Sequence, residues 1–141
     1  MNLGDINRRF GVYWLFFGYT LALHVLDEAG HDFVTVFNTN ALAIRRAMPF
    51  LHVPILTLQD FIGIVALFLT FLLALTPLAF RGLEWVRGLA IPVSTIAGIL
   101  NGTMHILSSI YLKRLMPGVY SSPLLLLSGT LLLRSALARE K

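Results

Sequence analysis

Four long stretches of the chain are apolar almost throughout: Phe10 to Ala29, Thr57 to Phe80, Trp85 to Leu112 and Val119 to Leu137. Within each stretch the apolar positions are continuous and do not alternate, which predicts helices and not the strands of a barrel. A helix needs about 20 such residues to cross a hydrocarbon layer about 30 Å thick. Only helices and closed barrels satisfy every backbone polar group in lipid. The expected fold is therefore all-α, a single-domain integral membrane bundle of four transmembrane helices.

The connections differ in character. Gly30 stands where a first helix can end. Residues 31–54 predict a short interfacial segment: Phe33 to Phe37 is β-branched and aromatic, and Asn40 to Met48 reads as a short helix whose Arg45 and Arg46 reach headgroups. Pro49 and Pro54 stop any continuation. Thr76-Pro77 closes the second span, while Arg81 to Glu84 and Lys113 to Gly118 read as tight turns. Arg8-Arg9 ahead of an apolar run is similar to the start of a signal peptide, but no small-x-small cleavage site precedes the polar cluster, so the run is read as an uncleaved first span.

Composition strengthens this picture. The 141 residues are 57% hydrophobic and 13% charged, against about 25% charged in soluble domains. Mean hydropathy is +0.79. The absence of cysteine excludes disulfides, thiolate metal sites and a cysteine nucleophile. A net charge of +4 would suggest nucleic acid in a soluble domain. Here the basic residues sit between apolar segments, so membrane lipids are the expected partners and nucleic acid is not.

Four spans leave both termini on one side. Seven basic residues fall there, Arg8, Arg9, Arg81, Arg87, Arg134, Arg139 and Lys141, against four on the other side, Arg45, Arg46, Lys113 and Arg114. That asymmetry predicts cytoplasmic termini and a multi-pass protein of the cytoplasmic (inner) membrane. Asp27, Glu28, Asp32, Asp60 and all four histidines map toward the opposite face.

Ionisable groups within an apolar span are costly and usually have partners and a task. At 100° per residue, His24, Glu28 and His31 share an arc of about 60° on the first helix, with Thr20 and Tyr13 on the same stripe. A rise of about 1.5 Å per residue puts His24 some 21 Å into the layer. On the third span, Ala90, Ser94, Gly98 and Gly102 form a small-residue stripe that lets another helix approach. Asn101, His105 and Ser109 lie on or beside it, Asn101 at a depth close to that of His24, while Pro92 points away. Thr57 to Asp60 reads as a helix-capping arrangement, His52 as an exposed loop residue, and Asp27 as a flank residue within reach of Arg45, Arg46 or Lys113.

The pentapeptide His24-Val25-Leu26-Asp27-Glu28 resembles the motif of the HXXEE family, small bacterial multi-span membrane proteins named for a His-x-x-Glu-Glu sequence late in an early span. Asp27 stands where the family name has its first glutamate and is one methylene shorter. His105, Tyr111, Pro117 and Gly118 add a further similarity. The resemblance covers the first, third and fourth spans and implies a site at these residues, but no particular reaction.

Two classes of function follow. In the first, an enzyme acts on a lipid-like hydrophobic substrate, with Glu28, His24, His105 and Asp27 as acid, base or orienting groups. A divalent metal such as zinc on His24, Glu28 and His105 would leave one position open. His31, Asp60 and Asn101 are the next candidates. In the second, the same cluster belongs to a non-catalytic membrane subunit or small carrier and binds a partner, an ion or protons, as a homo-oligomer or within a larger membrane complex.

Overall fold

The first helix begins at Asn2, whose side chain accepts the Asp5 N–H at 2.8 Å and so satisfies one of the free donors of the opening turn. From there α1 (Leu3–Gly30) runs unbroken. Among its buried positions, Ile6, Phe10, Trp14, Phe17, Leu21, His24 and Glu28 recur every third or fourth residue, with Gly11, Gly18 and Thr20 beside them. That spacing is one continuous stripe along a helix. The stripe is aromatic at Phe10, Trp14 and Phe17 and ends on two ionisable side chains, so the surface that packs α1 into the bundle also carries His24 and Glu28 inward.

The computed structural model describes residues 2–138, and among these all the regular structure is helical. Arg139, Glu140 and Lys141, which enter the charge asymmetry, lie outside the described residues. After α1 come α2 (Phe33–Ala47), α3 (Leu58–Phe80), α4 (Glu84–Leu112) and α5 (Ser122–Leu137). Three of these, α1, α3 and α4, are long and apolar enough to cross a membrane. The fourth expected span corresponds to a shorter apolar helix that starts at Ser122 and has 16 residues, about 24 Å long, and it is not among these three.

Helix α5 is short but central. Ser122, Leu125, Ser128, Gly129, Leu132, Ser135 and Ala136 are buried, and its chief partners are α1 and the middle of α4. Small residues make that approach close. A Cβ placed on Gly98 would lie 3.1 Å from Gly129 Cα and 2.9 Å from Phe17 Cε2. Thr20 and Ser128 hydroxyls meet at 2.6 Å in the buried seam between α1 and α5.

The stripe of α4 repeats every four residues, and an α-helix rotates such a stripe by about 40° at each step. Directly after Pro92, which removes a backbone donor, residues Ser94–Leu100 adopt the wider π-helical turn. The wider turn offsets the drift, so Ala90, Ser94, Gly98 and Gly102 are all buried along one line. The Ser94 hydroxyl donates to the Ala90 carbonyl at 2.6 Å within this stretch.

Helix α3 is peripheral. Thr57 and Asp60 form a reciprocal capping box at its start, and Trp14 Nε1 donates to the Leu72 carbonyl at 2.8 Å just ahead of the break at Leu75 before Pro77. Ile62, Ile64, Leu67 and Phe71 are exposed, an apolar face suited to lipid and not to water. Helix α2 also departs from the sequence reading, which started a helix only at Asn40. It starts at Phe33 because Asp32 turns the chain in the left-handed region, φ 60°, and accepts the Thr35 hydroxyl at 2.7 Å. Phe33 then packs on Phe61 of α3 with ring centroids 5.0 Å apart.

A larger side chain at the α4/α5 contact should separate the helices. Gly98→Leu is expected to lower stability by about 1–3 kcal/mol or more through overpacking, measured by thermal unfolding in detergent. Gly63→Ala, where a Cβ meets nothing within 4 Å, should unfold no earlier than wild type.

Candidate functional site

Where the α1 stripe ends, α4 supplies its partner. Glu28 Oε1 lies 3.0 Å from His105 Nε2 and 3.5 Å from His24 Nε2. The two imidazoles meet edge to face, with centroids 4.9 Å apart and planes at 72°. His24 is 0% exposed and Glu28 5%, so this carboxylate depends on His105 for the stabilisation that water would otherwise give. One donor atom from each of the three residues lies within 4.8 Å of the others.

The turn after α4 closes over this cluster. The Ser109 hydroxyl donates to the His105 carbonyl at 2.8 Å and accepts the Met116 N–H at 3.0 Å, which folds Met116 to Gly118 back toward the three side chains. Gly118 then sits directly against them with φ 83°. A Cβ there would lie 2.8 Å from His24 Cε1 and 3.1 Å from both Glu28 Cγ and His105 Cε1. Only glycine meets both the backbone and the space requirement.

The remaining contacts of His24 come from two other elements. Its Nδ1 is 2.9 Å from Ser121 Oγ, at the start of α5, and its Nε2 is 3.1 Å from Asn101 Nδ2 on α4. Ser121 donates both its N–H, at 2.9 Å, and its hydroxyl, at 2.8 Å, to Asp27 Oδ2. Ser121 was missed in the sequence reading. The string Ser121-Ser122-Pro123 signals a helix start, and nothing local to it points to a histidine 97 residues earlier.

The candidates from sequence thus separate. His24, Glu28, His105 and Asn101 are brought together, and Asp27 joins them through Ser121. The expected pairing of Asp27 with Arg45, Arg46 or Lys113 is corrected: its partners are Ser121 and His31. His31 lies past the end of α1, where the helical arc no longer applies, and its ring is half exposed. Its Nδ1 is 2.7 Å from the Asp27 carbonyl and 2.9 Å from Asp27 Oδ1, outside the three-residue cluster. Asp60 is an exposed member of the α3 capping box and takes no part in the cluster.

The arrangement suits a cation. A tetrahedral zinc with ligands at about 2.0–2.2 Å holds neighbouring donors about 3.3–3.6 Å apart; Glu28 Oε1 is 3.5 Å from one imidazole nitrogen, within that range, and 3.0 Å from the other, somewhat closer. A cavity of about 140 Å³ adjoins His105, walled by Phe33, Val36 and Phe37 of α2, Met104 of α4, and Met116 and Pro117 of the closing turn. Two of the larger cavities, about 540 and 270 Å³, open at the other end of the bundle beside Arg87 and between Arg9 and Arg134. They lie away from the His/Glu cluster and bring no comparable set of donors together.

Fold and cluster define a class: an all-helical protein, apolar enough in three helices to cross a membrane, that carries a buried centre of two histidines and one glutamate. The family model described as a protein of unknown function with HXXEE motif matches residues 14–133, and the chain belongs to that family. No curated protein and no solved structure matches it.

Gly118→Ala should cost about 1–3 kcal/mol for its left-handed backbone and push the imidazoles apart. Gly82→Ala is the control, since Gly82 also has positive φ, 68°, but packs against Asn7 at the far end. Both variants should melt earlier, and only Gly118→Ala should shift the histidine ring resonances of His24 and His105 in NMR spectra.

Proposed function

We propose that this chain is a multi-pass protein of the bacterial inner membrane, with cytoplasmic termini, whose His24, Glu28 and His105 hold a divalent metal used on a lipid-like hydrophobic substrate. The observation that carries the reading is the convergence, in a buried place, of two imidazole nitrogens and a carboxylate oxygen from two separate helices. Two histidines and one carboxylate with an open position is a donor set of catalytic zinc, and it also suits iron(II). Such a metal polarises a carbonyl or activates water, chemistry that would serve the hydrolysis of an ester or amide.

The surroundings favour an apolar substrate. The small cavity at His105 is walled mainly by Phe33, Val36, Phe37, Met104 and Met116, and α2, which forms one wall, buries only Ala41. A lightly held amphipathic helix beside the cavity gives a lipid chain a lateral way in. The exposed apolar face of α3 agrees with a lipid environment, and the basic residues at the end that carries the described termini agree with cytoplasmic termini.

A second, non-catalytic reading draws on the hydrogen bonds themselves. His105 to Glu28 at 3.0 Å and Asn101 to His24 at 3.1 Å satisfy the groups among themselves, as befits a subunit or small carrier that holds a proton or an ion in a larger membrane assembly.

Elemental analysis of protein purified in detergent separates the two. Wild type should carry about one zinc or iron per chain; His24→Ala, Glu28→Ala and His105→Ala should lose it, while His52→Ala should keep it. Metal-free wild type that takes up neither ion when supplied contradicts the metal centre and leaves the proton-holding reading.

A further inference from the structure

We infer that Asp27 and Ser121 form a positioning pair that holds His24 in the tautomer protonated on Nδ1 and turns its Nε2 lone pair into the cluster. The inference deepens the metal-centre proposal and rests on reading His24 as a ligand. It explains why an acid at position 27, which points out of the cluster, belongs to the site at all.

The hydrogens available at Ser121 decide the tautomer. A serine hydroxyl has one hydrogen, and an ionised carboxylate only accepts. Ser121 Oγ is 2.8 Å from Asp27 Oδ2 and 3.2 Å from the Gly118 carbonyl, so its hydrogen points to the carboxylate. The Ser121 N–H donates to the same Oδ2 at 2.9 Å and fixes the carboxylate in place. With its hydrogen committed, Ser121 Oγ can only accept from His24 Nδ1, 2.9 Å away. His24 Nδ1 therefore carries the proton.

The contact at the other ring nitrogen agrees with this tautomer. Asn101 Nδ2 is an amide donor without a lone pair to offer, and it lies 3.1 Å from His24 Nε2. Nε2 is then the acceptor. In this tautomer Nε2 offers its one lone pair to the Asn101 N–H, a donor that a cation bound beside Glu28 Oε1, 3.5 Å away, would displace. A metal-bound histidine commonly donates its second ring N–H to a carboxylate, a carbonyl or water, which fixes both the tautomer and the ring orientation. Here the carboxylate acts through a hydroxyl on the first residue before α5.

Nitrogen-15 NMR of metal-free, histidine-labelled protein in lipid, with His24→Gln to assign the ring, tests the pair directly. Wild type should show His24 protonated at Nδ1 and bare at Nε2. In Ser121→Ala the Nδ1 donor loses its acceptor, so the proton should move to Nε2 and face Glu28, and zinc affinity should fall about 10- to 100-fold. Ser121→Thr, which keeps the hydroxyl, should restore both. A wild-type ring protonated at Nε2 or at both nitrogens, or an Nδ1-protonated ring unchanged by Ser121→Ala, overturns the inference. A wild type that binds no metal yet shows the tautomer shift in Ser121→Ala keeps the positioning pair and overturns the metal centre, so the two failures are distinct.

Discussion

A carboxylate buried at the end of an aromatic stripe constrains everything around it. Glu28 is 5% exposed, and an isolated charge in such a place would be prohibitively costly. Its stability depends on His105 arriving from α4, with His24 beside it one turn back along α1. That requirement fixes the depth at which α1 and α4 face each other. It also dictates a glycine at position 118, where any side chain would occupy the space of the rings.

The packing that delivers His105 is built from small groups. Gly98 and Gly129 bring the backbones of α4 and α5 together, and the π-helical turn after Pro92 keeps the small stripe on one line. Asn101 and His105 follow that turn one helical step apart, so the local irregularity sets where they aim. π-helical turns are often found at functional sites, and here the reason is geometric. Helix α5 contributes through its first turn, with Ser121 bridging Asp27 and His24. A shorter fourth helix suffices for that task because it lies inside the bundle against α1 and α4.

Much of this was legible from the chain. The positions of α1 that pack inward follow a simple helical period, and that period carries His24 and Glu28 with it. The small stripe of α4 correctly indicated that His105 faces protein. What stayed hidden depended on tertiary contacts or on local turn chemistry. Ser121 bonds to Asp27, 94 residues away, and no local pattern encodes such a contact. His31 left the shared arc because α1 ends at Gly30, and Asp60 was absorbed by a cap that its own tetrapeptide described. Helix α2 began seven residues early because a left-handed Asp32 and the stacking of Phe33 on Phe61 outweighed the β-branched character of its first turn. Hydropathy counted a fourth span over Val119 to Leu137, where the helix itself has 16 residues because a turn occupies the start of the apolar run.

The central claim is that Glu28 on α1 and His105 on α4 are in direct contact within the folded protein, whatever ion or proton they hold. A double-mutant cycle with Glu28→Gln and His105→Ala, read as unfolding stability in metal-free detergent solution, addresses it most directly. A coupling energy on the order of 1–3 kcal/mol is the result this account requires. Additivity within about 0.5 kcal/mol would contradict it, because residues that share a buried ion pair cannot lose their contributions independently.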